Sequence, residues 1–144
     1  CLEYGCASVL NTAERVRWVL EEVDSPALKL YADPSNWIHG YEKLLDNTAI
    51  LNHHFDLLGD WVYGTHARDA WLENHETRTD LELGMHIVTG AAGDGIMDYG
   101  TFLKRANAVN PSMWMLIEHT PTERIPAARD YILRVASEVG VAFD

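Results

Sequence analysis

The 144-residue chain is 47% hydrophobic, 10% aromatic and 23% charged, the make-up of one ordinary globular domain. Eleven basic against 22 acidic side chains leave a net charge of −11 and a pI near 4.9, a field that repels phosphate backbones and argues against nucleic-acid binding. Mean hydropathy is −0.17 and no apolar run approaches the roughly 20 residues of a membrane span.

The opening CLEYGCASVL does not read as a secretory signal. Cys1 and Cys6 match neither a disulfide framework nor a zinc motif, so a cytoplasmic compartment is expected. Leu2-Glu3-Tyr4 reads as a short strand, and because the chain opens on it without a methionine, a larger whole is expected. Thr12 is an N-cap for AERVRWVLEEV, where Val16, Val19, Leu20 and Val23 recur at helical spacing. Asp24-Ser25-Pro26 stops that helix. ALKLYA reads as a buried strand ending at Asp33-Pro34-Ser35-Asn36. Leu44, Leu45, Thr48, Leu51, Phe55 and Leu58 mark a second amphipathic helix, closed by Gly59, and WVYGTH reads as the third strand. The polar stretch from Ala67 to about Gly95 predicts a loop, with 70–92 as a substrate-covering segment. Within it GAAGDG lacks the lysine of a P-loop and reads as a flexible approach to the next helix. Asp98 caps that helix, YGTFLKRANAV, which Asn110-Pro111 ends. The fourth strand runs from Met113 to Ile117, and AARDYILRVASEVG is the last helix.

Strands alternating with helices predict α/β architecture, a parallel sheet with helices packed outside it. Periodicity leaves two forms open, a flavodoxin-like open sheet and part of a (β/α)8 barrel. In either form the C-terminal ends of the strands gather at one edge, where α/β proteins place their sites. Glu3, Asp33, His66 and Glu118 stand at the four strand ends and are expected to converge. Three carboxylates and an imidazole form an oxygen-rich set that suits Mn2+ or Mg2+, with Co2+ or Zn2+ as further candidates. Against a divalent ion they leave one net negative charge, a site able to hold a neutral polyol. An ion bound to a carbonyl and an adjacent hydroxyl stabilises an enediolate, and a neighbouring carboxylate can move the proton between the two carbons. Glu3 and Glu118 would then face each other as base and acid.

The run from Leu2-Glu3, through Asp33-Pro34-Ser35-Asn36 and His66-Ala67-Arg68-Asp69, to Gly93-Asp94-Gly95-Ile96-Met97-Asp98 and Leu116-Ile117-Glu118 resembles the xylose isomerase-like TIM barrels. These are sugar isomerases and epimerases of carbohydrate metabolism, with inosose and dehydroshikimate dehydratases and a DNA-repair nuclease branch as relatives. The resemblance covers nearly the whole chain and implies the last four βα units, strands five to eight, of a (β/α)8 barrel. It implies that Glu3, Asp33, His66 and Glu118 are the metal ligands and that Glu3 and Glu118 are the catalytic acid–base pair. It implies that Asn36, Arg68 and Asp69 contact substrate, with Asp69 reaching metal, water or substrate. Two departures stand out. Asn36 occupies a position where many members have histidine and cannot shuttle a proton near pH 7, and Arg68 replaces the usual lysine.

The leading expectation is therefore a divalent-metal-dependent isomerase or epimerase of a ketose or polyol. A dehydratase (lyase) using the same metal and base is the first alternative, and a non-catalytic metal-binding or interaction half-barrel is the second. The nuclease branch fits poorly with a charge of −11. A complete barrel takes about 250 residues, so the expected partners are a missing N-terminal half-barrel or a further copy of the chain, together with a small sugar or polyol. His53 and His54 are expected to face solvent or cap packing. Trp37 and Trp71, just past strand ends, are candidates for stacking on a sugar or for internal packing.

Overall fold

A computed structural model describes residues 1–5, 8–74 and 85–143. Helix α1 (Ala13–Val23) starts where the Thr12 hydroxyl accepts the Arg15 N–H at 3.3 Å, and it ends at Asp24, which is left-handed at φ 44°. Strand β1 is confined to Leu30–Ala32. The segment expected as a first strand forms a single parallel bridge, Leu2 to Leu30, with the Leu2 N–H on the Lys29 carbonyl and the Tyr31 N–H on the Leu2 carbonyl. The expected second helix is interrupted at Asp46 (φ −112°, ψ 41°), giving α2 (Tyr41–Leu45) and α3 (Asn47–Leu58). Helix α4 (Tyr99–Val109) is capped as expected by Asp98, whose Oδ1 accepts the Thr101 N–H at 2.9 Å. Its Oδ2 accepts the Thr48 hydroxyl at 2.7 Å and so ties α4 to α3. Burial alone would raise the Asp98 carboxyl, but these hydrogen bonds outweigh it and lower its pKa. Strand β4 (Trp114–Ile117) and helix α5 (Ile125–Val139) complete the chain.

The largest departure from expectation lies after the third strand. Strand β2 runs Val62–Asn74, well past the sheet, and pairs antiparallel with β3 (Met85–Ala91) from Arg68↔Ala91 to Asn74↔Met85. The loop expected over 70–92 is corrected to a two-stranded arm, with its middle, 75–84, outside the described residues. Cross-strand pairs such as Trp71–Val88 and Leu72–Ile87 supply the side-chain contacts that hold such a ribbon together.

The result is a mixed α/β fold on an open four-stranded sheet, mostly parallel, with β2 between β1 and β4. Successive strand residues point to opposite faces. One face sends Leu30, Ala32, Val62 and Ala67 into a core completed by Val16 and Leu20 of α1, Leu51 and Phe55 of α3, Phe102 and Leu103 of α4, and Ile132 of α5. The other carries Tyr31, Gly64 and His66, with Trp114 69% and Leu116 48% exposed. Among the described residues, no helix is long and apolar enough to cross a membrane.

Candidate metal centre

The four strand-end residues converge. Glu3, Asp33, His66 and Glu118 each offer one ligand atom, and these atoms all lie within 4.8 Å of one another. Parallel pairing accounts for the meeting: β1 and β4 end at the same edge, beside His66, which stands within β2 and not at its end as expected, and the Leu2 bridge brings Glu3 alongside. His66 Nδ1 lies 3.6 Å from Glu3 Oε1 and 3.4 Å from Glu118 Oε2, and it is buried without a hydrogen-bond partner. A nitrogen lone pair stranded among three carboxylates suits a cation, and the donor set fits a hard or borderline divalent ion.

Each carboxylate is held differently. Asp33 is fully buried; its Oδ1 accepts the Ser35 N–H at 3.0 Å and the Ser35 hydroxyl at 2.7 Å, which starts the short 3-10 turn Pro34–Trp37. Its Oδ2 accepts Arg68 Nη1 at 2.9 Å. A carboxylate oxygen has two lone pairs, so that bond leaves Oδ2 able to bind an ion as well. Glu3 Oε1 accepts Asn36 Nδ2 at 2.9 Å, and Asn36 Oδ1 accepts Arg68 Nη1 at 3.4 Å. Glu118 Oε2 stands 4.0 Å from the same guanidinium. Asn36 and Arg68 therefore lie inside the cluster. Arg68 also reaches the arm, its Nη2 donating to the Thr89 hydroxyl at 2.5 Å. With Arg68 counted, three carboxylates, one guanidinium and a divalent ion carry no net charge, whereas the residues read from sequence alone left one negative charge over.

The pairing of Asp69 with the same site needs correction. Asp69 is fully buried, and it sits next to Arg68 on a strand, so its side chain leaves the opposite face. Its Oδ1 accepts the Ala70 N–H at 2.8 Å and the Met97 N–H at 2.9 Å, and its Oδ2 accepts the Gly93 N–H at 3.0 Å. GAAGDG accordingly gives one donor, the Gly93 N–H, to a carboxylate of the chain itself, and Ala70 and Met97 supply the other two. Gly95 is obligatory there, since a Cβ would run into the Ala70 carbonyl and Asp69 Oδ1. Tyr99 ties α4 to β2 beside Asp69, its hydroxyl donating to the Arg68 carbonyl at 2.9 Å.

His54, expected to face solvent or cap packing, does not face solvent: it is buried. Its Nδ1 shares a hydrogen bond with the Tyr4 hydroxyl at 2.5 Å, and its ring stacks on Trp37 at 4.4 Å between centroids. Burial, helped by the nearby His53, holds its pKa down to about 3, and burial pushes the Tyr4 phenol far above its ordinary range. Trp37 is thus an internal packing residue, and the stack anchors the backbone beside Glu3 and Asn36. His53 behaves as expected of a surface residue, pairing with Glu14 at 2.8 Å.

Two residues at the site were not singled out from sequence. His119, in the left-handed region at φ 47°, places Nε2 3.6 Å from Glu118 Oε2. Tyr31 packs on His66 with ring centroids 4.5 Å apart. Burial and the charges of Glu118 and Glu3 raise the pKa of the Tyr31 phenol. Its signal was its place two residues before Asp33, on the same face of a strand.

No family model, no curated protein and no solved structure matches the chain.

Proposed function

We propose that the chain is the metal-binding part of a divalent-metal-dependent sugar isomerase or epimerase, built on the last four βα units of a (β/α)8 barrel. The observation that carries the reading is the convergence of Glu3, Asp33, His66 and Glu118 on one point at the sheet edge. A bound Mn2+ or Mg2+ would supply a Lewis acid that stabilises the negative charge of an enediolate.

Accessibility separates the roles of the four side chains. Asp33 is fully buried and His66 is 13% exposed, so both suit holding an ion and neither can travel to a substrate. Glu3 and Glu118 keep 38% and 30% of their side chains exposed, each within 3.6 Å of the His66 nitrogen. One glutamate removes the proton from the carbon beside the substrate carbonyl, and the other returns a proton to the neighbouring carbon or to the opposite face. Asn36 fixes Glu3 by donating to Oε1, and Arg68 holds Asp33 in place while opposing the charge around it. The near-neutral centre suits an uncharged polyol or ketose.

The test is a metal titration followed by a turnover assay on a ketose panel. Mn2+ should raise the melting temperature of the wild-type chain, and Glu118→Gln should lower turnover by about two to four orders of magnitude while largely sparing the fold. Products that have lost water instead of inverting a centre would move the assignment to a dehydratase. If no divalent ion raises the melting temperature, the metal-centre reading is wrong.

A further inference from the structure

The carboxylates of the centre are steered by hydrogen bonds, Glu3 from Asn36 and Asp33 from Ser35 and Arg68. His66 is not. Neither of its ring nitrogens has a hydrogen bond among the described residues, whereas a ligating imidazole is ordinarily oriented by a bond from its other nitrogen. Its ring has packing instead. The Tyr31 ring lies against it at 4.5 Å and 43°. Tyr31 in turn lies across Gly64, its register partner on β2. A Cβ at position 64 would sit 2.6 Å from Tyr31 Cε2 and 2.9 Å from Cζ, closer than side chains pack. The Tyr31 hydroxyl is buried and has no partner, so the placement of the ring owes nothing to a hydrogen bond. Shape alone sets it: glycine below, imidazole beside.

We propose that Tyr31, seated on Gly64, is a positioning residue that fixes the His66 imidazole by packing and so presents Nδ1 to the metal. The inference rests on the metal-centre reading given above. It assigns the role to the ring of Tyr31 and not to its hydroxyl, and it gives Gly64 a part in metal binding without any contact to the ion.

Mn2+ binding to the purified chain, followed by electron paramagnetic resonance, tests it. Tyr31→Phe should keep the affinity within about twofold and leave the bound spectrum unchanged, while Tyr31→Ala should weaken binding roughly 10- to 100-fold and alter the spectrum. Gly64→Ala should act in the same direction by displacing the ring, and it should add nothing in a Tyr31→Ala background. Circular dichroism checks that each variant is folded, and Gly64→Ala carries the test if Tyr31→Ala does not fold. Unchanged affinity and spectrum in Tyr31→Ala or Gly64→Ala would overturn the proposal, as would a Tyr31→Phe variant as weak as Tyr31→Ala. A wild-type chain that binds no Mn2+ would instead refute the metal centre itself, and with it the purpose given to Tyr31.

Discussion

Two aspartates of this chain, Asp33 and Asp69, are equally inaccessible, each with no exposed surface, yet their surroundings differ in kind. Asp69 is satisfied by three backbone N–H groups from a glycine-rich turn and its own strand. Asp33 is satisfied on one side by the turn that follows it and on the other by the guanidinium of Arg68, with Glu3, His66 and Glu118 beyond. Burial therefore does not separate a structural carboxylate from a candidate ligand. The source of its partners does. Backbone donors consume a carboxylate in holding a turn, whereas a charged side chain opposite other acids leaves it facing a place for a cation.

The comparison breaks most visibly at Asp33. Asp33→Asn should lower stability by roughly 3 kcal/mol, because it leaves the largely buried Arg68 without its countercharge. It should also abolish the stabilisation by Mn2+, which in the wild type reaches about 2.7 kcal/mol at a hundredfold excess over Kd. Asp69→Asn should cost about 2 kcal/mol, since an amide nitrogen would face the Gly93 donor, while keeping the full increment on adding Mn2+. Thermal melts with and without the ion read both variants. Equal loss of the increment in the two would erase the distinction.

A pH series sharpens the contrast with a buried group outside the centre. An unfolded histidine titrates near 6.5, whereas native His54 stays neutral down to about 3. Between those values the unfolded chain binds the extra proton, so the His54 contribution is whole above pH 6.5 and falls on acidification. The slope should be about 1.4 kcal/mol per pH unit, and urea melts of His54→Gln should show that part of it removed. The smallest expected effect is at Thr89. Thr89→Val removes one hydrogen bond to Arg68 and should cost about 1 kcal/mol or less. It should leave Mn2+ affinity within about twofold, because Asp33 keeps its own bond to the guanidinium.

What was legible in the sequence was local. Thr12 and Asp98 announced their helices because a capping side chain acts within one turn. The four candidate ligands were legible because parallel strands bring Asp33 and Glu118 to one edge beside His66, although β2 runs on past it. Asp46 was not, since a break between two helices of matching periodicity leaves the apolar pattern running through. The arm was missed for a different reason: its pairing joins Trp71 to Val88 across a polar tract, a non-local contact that no short window contains. The placement of Asp69 could have been read. Arg68 and Asp69 are neighbours on a strand, and neighbours on a strand cannot both face one site. His54 was hidden because its partners, Tyr4 and Trp37, come from distant segments.

Strand β2 is a single unbroken piece of backbone with two employments. Its first residues are clamped between β1 and β4, while Arg68 to Asn74 run on beside β3, with Asp69 and Ala70 still buried against the turn that follows it. At about 3.3 Å per residue that continuation is roughly 20 Å long. The root of this beam is sunk in buried residues, Asp69 and Ala70, and His66 is embedded just inside the clamp. The Arg68–Thr89 bond braces that root to the second strand of the beam. Any load placed along the arm is therefore met first by the buried Asp69 and Ala70, which stand between it and the imidazole.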